Sequence, residues 1–439
     1  MAQGIGFALT PVVSRLFSPV DFGLFGSFTA VSGVILAGVT LEYTQAIMLP
    51  KEKGDALNIF FVSCAATCLV ALLCLAVCLI APKGMLELLH ASNAWILSLL
   101  VLATLLGGFN RACQAWSTRT KAFKHVSASQ VIRSLSTSGV QIGSGYAKAG
   151  PAGLICGAIL ADLFGSLNLM RPVLRDFRRL RGTVSWRRMK QLAKEYSDFP
   201  MYSASQNVTN SLSTGIPLLL LIHHYGAATA GAYAFAVRIL WTPLSLLVGS
   251  LRQVLFQKAT ESQHRGHSLT SLYVRTTVAL FAIGIVPTLV LFIFAPPIFS
   301  WIFGPRWMTA GVFARSLILW LLFVFCNLPA ILFARLIRIQ RTVFFYDLAL
   351  LGARVLVLAV GGLYLSAVNA IMAFSVIGAT MNCFLILLVG YAVMQKEGPV
   401  NMERIRHSLA TAWFGIGPLK VFGETRLGEP VEESLPDQL

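Results

Sequence analysis

In a chain of 439 residues, 56% hydrophobic and only 12% charged residues leave too little polar surface for a water-soluble globule, so the bulk of the chain is read as a bundle in lipid. The formal net charge of +17 requires no nucleic-acid partner, because topology and attraction to anionic membrane lipids account for it. The eight cysteines are not read as a disulfide framework, and four of them, Cys64, Cys68, Cys74 and Cys78, share about a third of one helix circumference as packing residues.

Residues 2–13, AQGIGFALTPVV, are apolar but too short to span a bilayer, and they lack the basic start and cleavage signature of a signal peptide. They read as the outer half of a first helix whose beginning is missing. Eleven full-length hydrophobic stretches follow, at 22–42, 57–81, 93–110, 127–147, 150–171, 199–222, 229–251, 269–295, 311–334, 344–366 and 368–394. Each approaches or exceeds the ~20 residues a helix needs to cross hydrocarbon. With the incomplete first helix this makes twelve spans.

The basic residues fix an orientation. Of 35 Lys and Arg, 27 fall in every second connection or in the C-terminal tail. The opposite connections hold only Arg15, Lys83, Lys148 and Arg306, and Arg238, Arg275, Arg315 and Arg354 lie within or at the ends of spans. Basic loops resist translocation, so the rich side is cytoplasmic and the tail is inside. The expected organisation is an all-α polytopic bundle in two six-helix lobes, 1–171 and 199–394, joined by the basic cytoplasmic linker 172–198 and followed by the tail 395–439. Phe17, Gly23 and Phe25 recur as Tyr225, Gly231 and Tyr233, all at an offset of 208, which supports two related halves. In the tail, Ile405, Leu409, Trp413, Phe414 and Ile416 have the makings of a short interfacial helix, followed by an acidic end expected to be disordered.

Two spans are too polar to face lipid all round. In 127–147, Gln130, Arg133, Ser134, Thr137, Ser138, Gln141 and Ser144 form a stripe, and in 199–222 Ser203, Gln206, Asn207, Asn210, Ser213 and Thr214 form another. Such stripes glue helices or line a wet cavity, and Arg133 with the Asn and Gln residues favours the cavity. His223 and His224 read as solvent-facing residues of an outer loop, and the triplet Asn207-Val208-Thr209 as a chance glycosylation match within a span. Arg238 and Arg354 fall about ten residues into their spans, near the midplane, where an Arg is costly unless paired or wet. One reading pairs Arg238 or Arg354 with Asp162 as a structural bridge between lobes. The other is a cationic cavity for an anionic ligand. Pro217, Pro243, Pro287 and Pro329 interrupt spans of the second half and permit bends. Two lobes, bendable helices and a polar interior suit alternating access.

No G-x-x-x-x-G-K-[ST] loop and no H-E-x-x-H pair is present, so no ATP site, metal site or other cofactor is expected and the chain is not read as an enzyme.

The segments RLFSPVDFG at 15–23, AIMLP at 46–50, KEYSDFPMYS at 194–203, GAYAFAVRILWTPLSLLVGS at 231–250 and IFGPRWMTAG at 302–311 together resemble the oligosaccharide flippases of bacterial polysaccharide and O-antigen export. Those belong to the superfamily that includes the multidrug and toxin extrusion transporters. The resemblance runs in order to about residue 394. It implies a twelve-helix, two-lobe bundle of the bacterial cytoplasmic membrane that moves undecaprenyl-pyrophosphate-linked oligosaccharides from the inner to the outer leaflet, beside polysaccharide polymerase and assembly proteins. Where that family reads Arg, Tyr, Glu and an apolar residue before Ala-Ile, this chain has Glu42, Tyr43, Thr44 and Gln45, so the substrate contact of that Arg does not carry over.

A lipid-linked pyrophosphate sugar is anionic and needs Arg donors for phosphates and amides for hydroxyls. Arg238 and Arg354 are expected on the pyrophosphate, with Gln130, Arg133, Gln141, Asn207 and Asn210 along the path. Asp162 either carries a coupling proton or balances an Arg, and Glu42 is the other candidate for charge balance. The alternatives are a cation-coupled drug exporter of the same superfamily, for which acidic cavity residues would be expected, and a membrane-embedded polymerase or ligase, which would need a sizeable outer loop.

Overall fold

The computed structural model describes residues 2–264 and 268–397, so the tail helix expected around Ile405 to Ile416 lies outside the described residues. Among the described residues the chain is helical and carries no strand. The first half contains α1 (Ala2–Leu16), α2 (Pro19–Gly38), the single turn α3 (Tyr43–Ala46), α4 (Lys53–Ile80), the short α5 (Pro82–Leu89), α6 (Trp95–Arg119), α7 (Phe123–Tyr146), α8 (Pro151–Leu180) and α9 (Trp186–Glu195). A π-helical turn at Phe199–Ala204 leads into α10 (Ser205–His264), followed by α11 (Leu269–Phe303), α12 (Met308–Cys326), α13 (Leu328–Leu336), α14 (Gln340–Tyr364) and α15 (Ala367–Glu397).

Nine of the described helical stretches are long and apolar enough to cross a membrane. The longest of these contains two crossings, because Gly226 leaves helical geometry at φ 81° and breaks α10. Glycine takes that positive φ without a Cβ clash. The polar stripe keeps α7, which occupies the expected 127–147 stretch, out of the nine. Chain breaks follow local chemistry. Ser18 accepts from the Asp21 amide while Asp21 reaches back to the Ser18 backbone, a capping box with Pro19 in the first turn that starts α2. Pro329, expected inside a span, instead lies in the first turn of α13, because the helix breaks at Asn327. The missing proline N–H then costs no helical bond.

The contacts divide the chain into two compact units. One comprises residues 1–246, 290–319 and 347–378. In it α7 is held between α8 and α1, and α6 packs on both α8 and α4. An aromatic cluster forms around buried Phe22, Phe235 and Trp307, with Phe235 and Trp307 centroids 4.0 Å apart. The other unit comprises residues 247–289, 320–346 and 379–439, described to residue 397. There the buried Asn327 Nδ2 donates to Asn382 Oδ1 at 2.8 Å, and Tyr273 donates to the Ile386 carbonyl at 2.6 Å.

The 208-residue offset recurs in the contacts of the first unit. A Cβ at Gly23 would fall on the Ala227 carbonyl, and a Cβ at Gly231 would fall on the Pro19 carbonyl. Pro19 and Ala227 are themselves 208 apart, so the two contacts exchange under the offset. Phe17 packs against Gly153, while Tyr225 donates to the Gly361 carbonyl at 2.8 Å, again the same pair displaced by 208. Reciprocity of this kind is what a local two-fold axis between related segments produces.

At the linker end of the first unit, Asn58 Nδ2 donates to the Thr183 carbonyl and the Ser185 amide donates to Asn58 Oδ1. Arg188 forms a two-point ion pair with Asp55. The Asp55 carboxylate raises the Arg188 guanidinium above its ordinary pKa. Burial likewise raises the Tyr43 phenol, whose hydroxyl donates to the Ala193 carbonyl at 3.0 Å. Helix α9 is therefore clamped onto α4 and α3.

Candidate functional site

The polar stripe of α7 divides into two faces. Ser129, Arg133, Thr137 and Gln141 recur every four residues; on α8, Ser129 and Arg133 meet Gly165, Thr137 and Gln141 meet Gly157, and Ser144 meets Gly153, glycines set at multiples of the same spacing. Small residues let the two backbones approach, and the stripe supplies hydrogen bonds across the seam. Ser129 donates to the Gly165 carbonyl at 3.0 Å, and Gln141 donates to the Leu154 carbonyl at 3.3 Å. Gln141 is 2% exposed and its stem lies over Gly157. The expectation that Gln141 lines a path therefore fails, because the seam consumes its side chain. Gln130, on the other side of α7, is exposed.

Arg133 passes over Gly165 and its guanidinium reaches Asp162 at 2.5 Å. Asp162 thus pairs with the adjacent helix in sequence and not with Arg238 or Arg354, contrary to the reading that bridged it to one of them. The physical reason is register. Gly165 lies one turn beyond Asp162 on α8, and its missing side chain opens the route for the Arg133 stem. Asn110 of α6 donates to the Asp162 carbonyl and to Ser166, fixing α8 behind the pair.

Arg111, on α6, joins this group, within electrostatic reach of Glu42, Asp162 and Arg133. Its place among the basic loop residues hid it in the sequence. Glu42 is 6% exposed, sits at φ 58°, and accepts from Gln45 Nε2. A non-glycine residue in left-handed backbone is strained, and such positions persist where surrounding structure enforces them. The result is a cluster of two guanidiniums and two carboxylates, placed where the resembled family would have an Arg at position 42.

Arg238 is different. It stands half-buried about 18 Å along its helix from the break at Gly226, given a 1.5 Å rise per residue. Among the described residues no carboxylate forms an ion pair with it. Arg354 lies 5.1 Å from the Phe374 ring centroid, within electrostatic reach of Tyr233 and Asp347. The second stripe keeps its polar face open: Gln206, Asn210 and Thr214 are exposed, and Asn207 and Ser213 are half-buried. Amides exposed along a membrane span are expensive against hydrocarbon, which argues for a wet surface there. His223 is exposed as expected, and His224 is half-buried beneath Gly362.

Two predictions arise here. Asp162→Asn leaves Arg133 uncompensated and is expected to lower stability by about 1–2 kcal/mol, less than for a fully buried pair because Arg133 is 42% exposed. Arg133→Gln with Asp162→Asn should recover most of that loss in a double-mutant cycle on the purified protein, and additive losses would show the pair uncoupled. In a cysteine-free background, single cysteines at Gln130 and Asn210 should react with a water-soluble maleimide in intact membranes and one at Gln141 should not. Labelling at Gln141 would contradict the α7–α8 seam.

The fold is a polytopic helical bundle that is similar to those of solved membrane transporters. A multidrug resistance MATE family transporter of the MOP superfamily, solved inward-facing, superposes with a TM-score of 0.69 at 14% identity, covering 91% of this chain and 96% of that one. The lipid II flippase MurJ, in an inward closed conformation, superposes with a TM-score of 0.69 at 12% identity over 94% of this chain and 90% of that one. An outward-facing MATE family transporter gives a TM-score of 0.52 at 12% identity over 91% and 94%. No curated protein sequence matches the chain. The family model described as polysaccharide biosynthesis protein matches residues 12–311, and the chain belongs to that family.

Proposed function

We propose that this protein translocates undecaprenyl-pyrophosphate-linked oligosaccharides across the bacterial cytoplasmic membrane, by alternating access of two six-helix lobes, 1–171 and 199–394. The observation that carries the reading is Arg238, a midspan guanidinium that no carboxylate pairs among the described residues. A cation so placed favours an anionic guest, and a pyrophosphate offers bidentate acceptors to it. Membership in the polysaccharide biosynthesis family supports a glycan-linked guest, and the MurJ likeness supports a fold able to flip lipid-linked sugars. Arg354 is the second phosphate donor, and Gln130, Asn207 and Asn210 offer amides to sugar hydroxyls. The cluster of Glu42, Arg111, Arg133 and Asp162 lies toward the basic, cytoplasmic side and balances its own charge, so it admits the head group without trapping it.

The test is a strain deleted for the gene, with this chain added back. Loss of surface polymer and accumulation of undecaprenyl-linked repeat units on the inner leaflet, both reversed by add-back, is the expected result. Normal polymer with altered sensitivity to cationic drugs would move the protein to the drug-exporter reading, which the acidic members Glu42 and Asp162 favour.

A further inference from the structure

Only four basic residues stand in the sparsely charged connections, on the face that the charge asymmetry makes the outer one. Two of them, Arg15 and Arg306, line one cavity of about 240 Å³ with Trp301 and Gly304. The cavity forms where α1 ends beside the turn between α11 and α12. Ser14 Oγ donates to the Phe303 carbonyl at 3.2 Å, and the buried Trp307 donates to the Ser14 carbonyl at 2.7 Å, so its floor is fixed. Gly304 turns the chain at φ 105°, and a Cβ there would approach the Arg15 stem to 3.9 Å.

A plain capping role explains part of this. Arg15 Nη2 donates to the Ile302 carbonyl at 3.2 Å, at the C-terminal end of α11. That uses one of the five N–H donors of its guanidinium. It leaves Arg306 unexplained, and among the described residues neither Arg has an acidic partner. Both side chains are exposed, so their repulsion is screened, and two guanidiniums brought to one cavity make it attractive to an anion. Trp301, 82% exposed at the end of its span, marks headgroup depth. An anion at that depth is the phosphate of a lipid.

We propose that Arg15 and Arg306 form a phosphate site on the outer rim that holds the pyrophosphate head of the carrier lipid as it reaches the outer leaflet, an inference that rests on the flippase reading. Two guanidiniums match a multiply charged pyrophosphate better than the single charge of a phosphodiester headgroup. A site at the exit gives the head group a second cation to move to from Arg238.

The experiment uses the full chain carrying Arg238→Gln, in phosphatidylcholine nanodiscs, with radiolabelled farnesyl pyrophosphate as probe. Saturable binding that inorganic pyrophosphate displaces, weakened about tenfold or more by adding Arg15→Gln and Arg306→Gln, is expected from the loss of charge-assisted bonds. Lysines at both positions should restore most of it. If the double substitution does not yield a folded chain, Arg306→Gln alone carries the test. Absent binding in the Arg238→Gln chain, or unchanged affinity on removing the two arginines, overturns the site. Equal displacement by phosphatidylglycerol discs also overturns it, since the cavity would then hold an ordinary phospholipid. Rim binding in the Arg238→Gln chain, together with failure of the unsubstituted chain to restore surface polymer in the deletion strain, would refute the flippase reading and leave the site standing. Polymer restored by the unsubstituted chain, without rim binding in the Arg238→Gln chain, would refute the site alone.

Discussion

Replacing Arg238 by alanine is expected to abolish polysaccharide export while leaving the protein in the membrane at wild-type abundance. Arg238 pairs with no carboxylate among the described residues, so its removal orphans no buried acid. The usual penalty of breaking a buried pair is therefore missing, and folding should tolerate the change. Transport should not. Charge-assisted hydrogen bonds to a phosphate contribute about 1.5–3 kcal/mol each, so losing a bidentate contact predicts a fall on the order of a hundredfold or more in export rate. Arg238→Lys keeps the charge but loses the planar fork, and should fall between the two. The measurement pairs immunoblot abundance with surface polymer in the deletion strain. If abundance falls in step with export, Arg238 serves folding and the anion site must lie elsewhere.

The crossings were legible because bilayer thickness imposes one length on every span, and an apolar run of that length has few other uses. Even α7, the most polar of them, declared itself through spacing. Partnerships were not legible, because they depend on the rotation of each helix about its axis. Arg133 and Asp162 were both named from sequence, yet their pairing follows from Gly165 opening a route that only the packed α7–α8 seam reveals. A signal existed in hindsight: glycine and alanine at four-residue spacing on α8 opposite polar residues at four-residue spacing on α7. Gln141 was misplaced for the same reason, since a polar stripe reads alike whether it faces water or a glycine groove. Arg111 was missed because position in sequence assigned it to a loop cluster, while α6 runs on to Arg119.

The segments that carry the family resemblance also prove to be scaffold. RLFSPVDFG contains the capping box of α2 and a glycine at a helix crossing. AIMLP offers the Ile47 carbonyl, to which Arg119 donates at 2.7 Å, and IFGPRWMTAG supplies the Gly304 turn and buried Trp307. KEYSDFPMYS spans the π-helical turn at Phe199–Ala204, a geometry that recurs at functional bends. Such motifs identify a fold and leave the guest to residues outside them. The exceptions are three arginines: Arg238 within GAYAFAVRILWTPLSLLVGS, and Arg15 and Arg306 of the proposed rim site, which lie within RLFSPVDFG and IFGPRWMTAG.

Gly23→Ala and Gly231→Ala are each expected to reduce membrane abundance severely, for one and the same reason. A methyl group at either position would fall on a backbone carbonyl of the facing segment, Ala227 for the first and Pro19 for the second. A flexible side chain can swing aside, but a carbonyl held in a helix start cannot, so α2 and the second part of α10 must separate. Overpacking of a tight contact costs about 1–3 kcal/mol where neighbours relax, and a rigid backbone on both sides puts these substitutions at the upper end or beyond. Because the two contacts exchange under the 208-residue offset, the two variants should lose abundance to a similar degree, and the double variant should lose less than the sum, since one separation relieves both clashes. Gly139→Ala and Gly143→Ala are the controls. A Cβ at either meets nothing within 4 Å, and both lie inside α7, where alanine is the better helix former by roughly 1 kcal/mol. Those two should accumulate at or above the wild-type level. Immunoblots of isolated membranes decide the matter: wild-type abundance for Gly23→Ala and Gly231→Ala would mean that the two segments stand farther apart than their backbones imply.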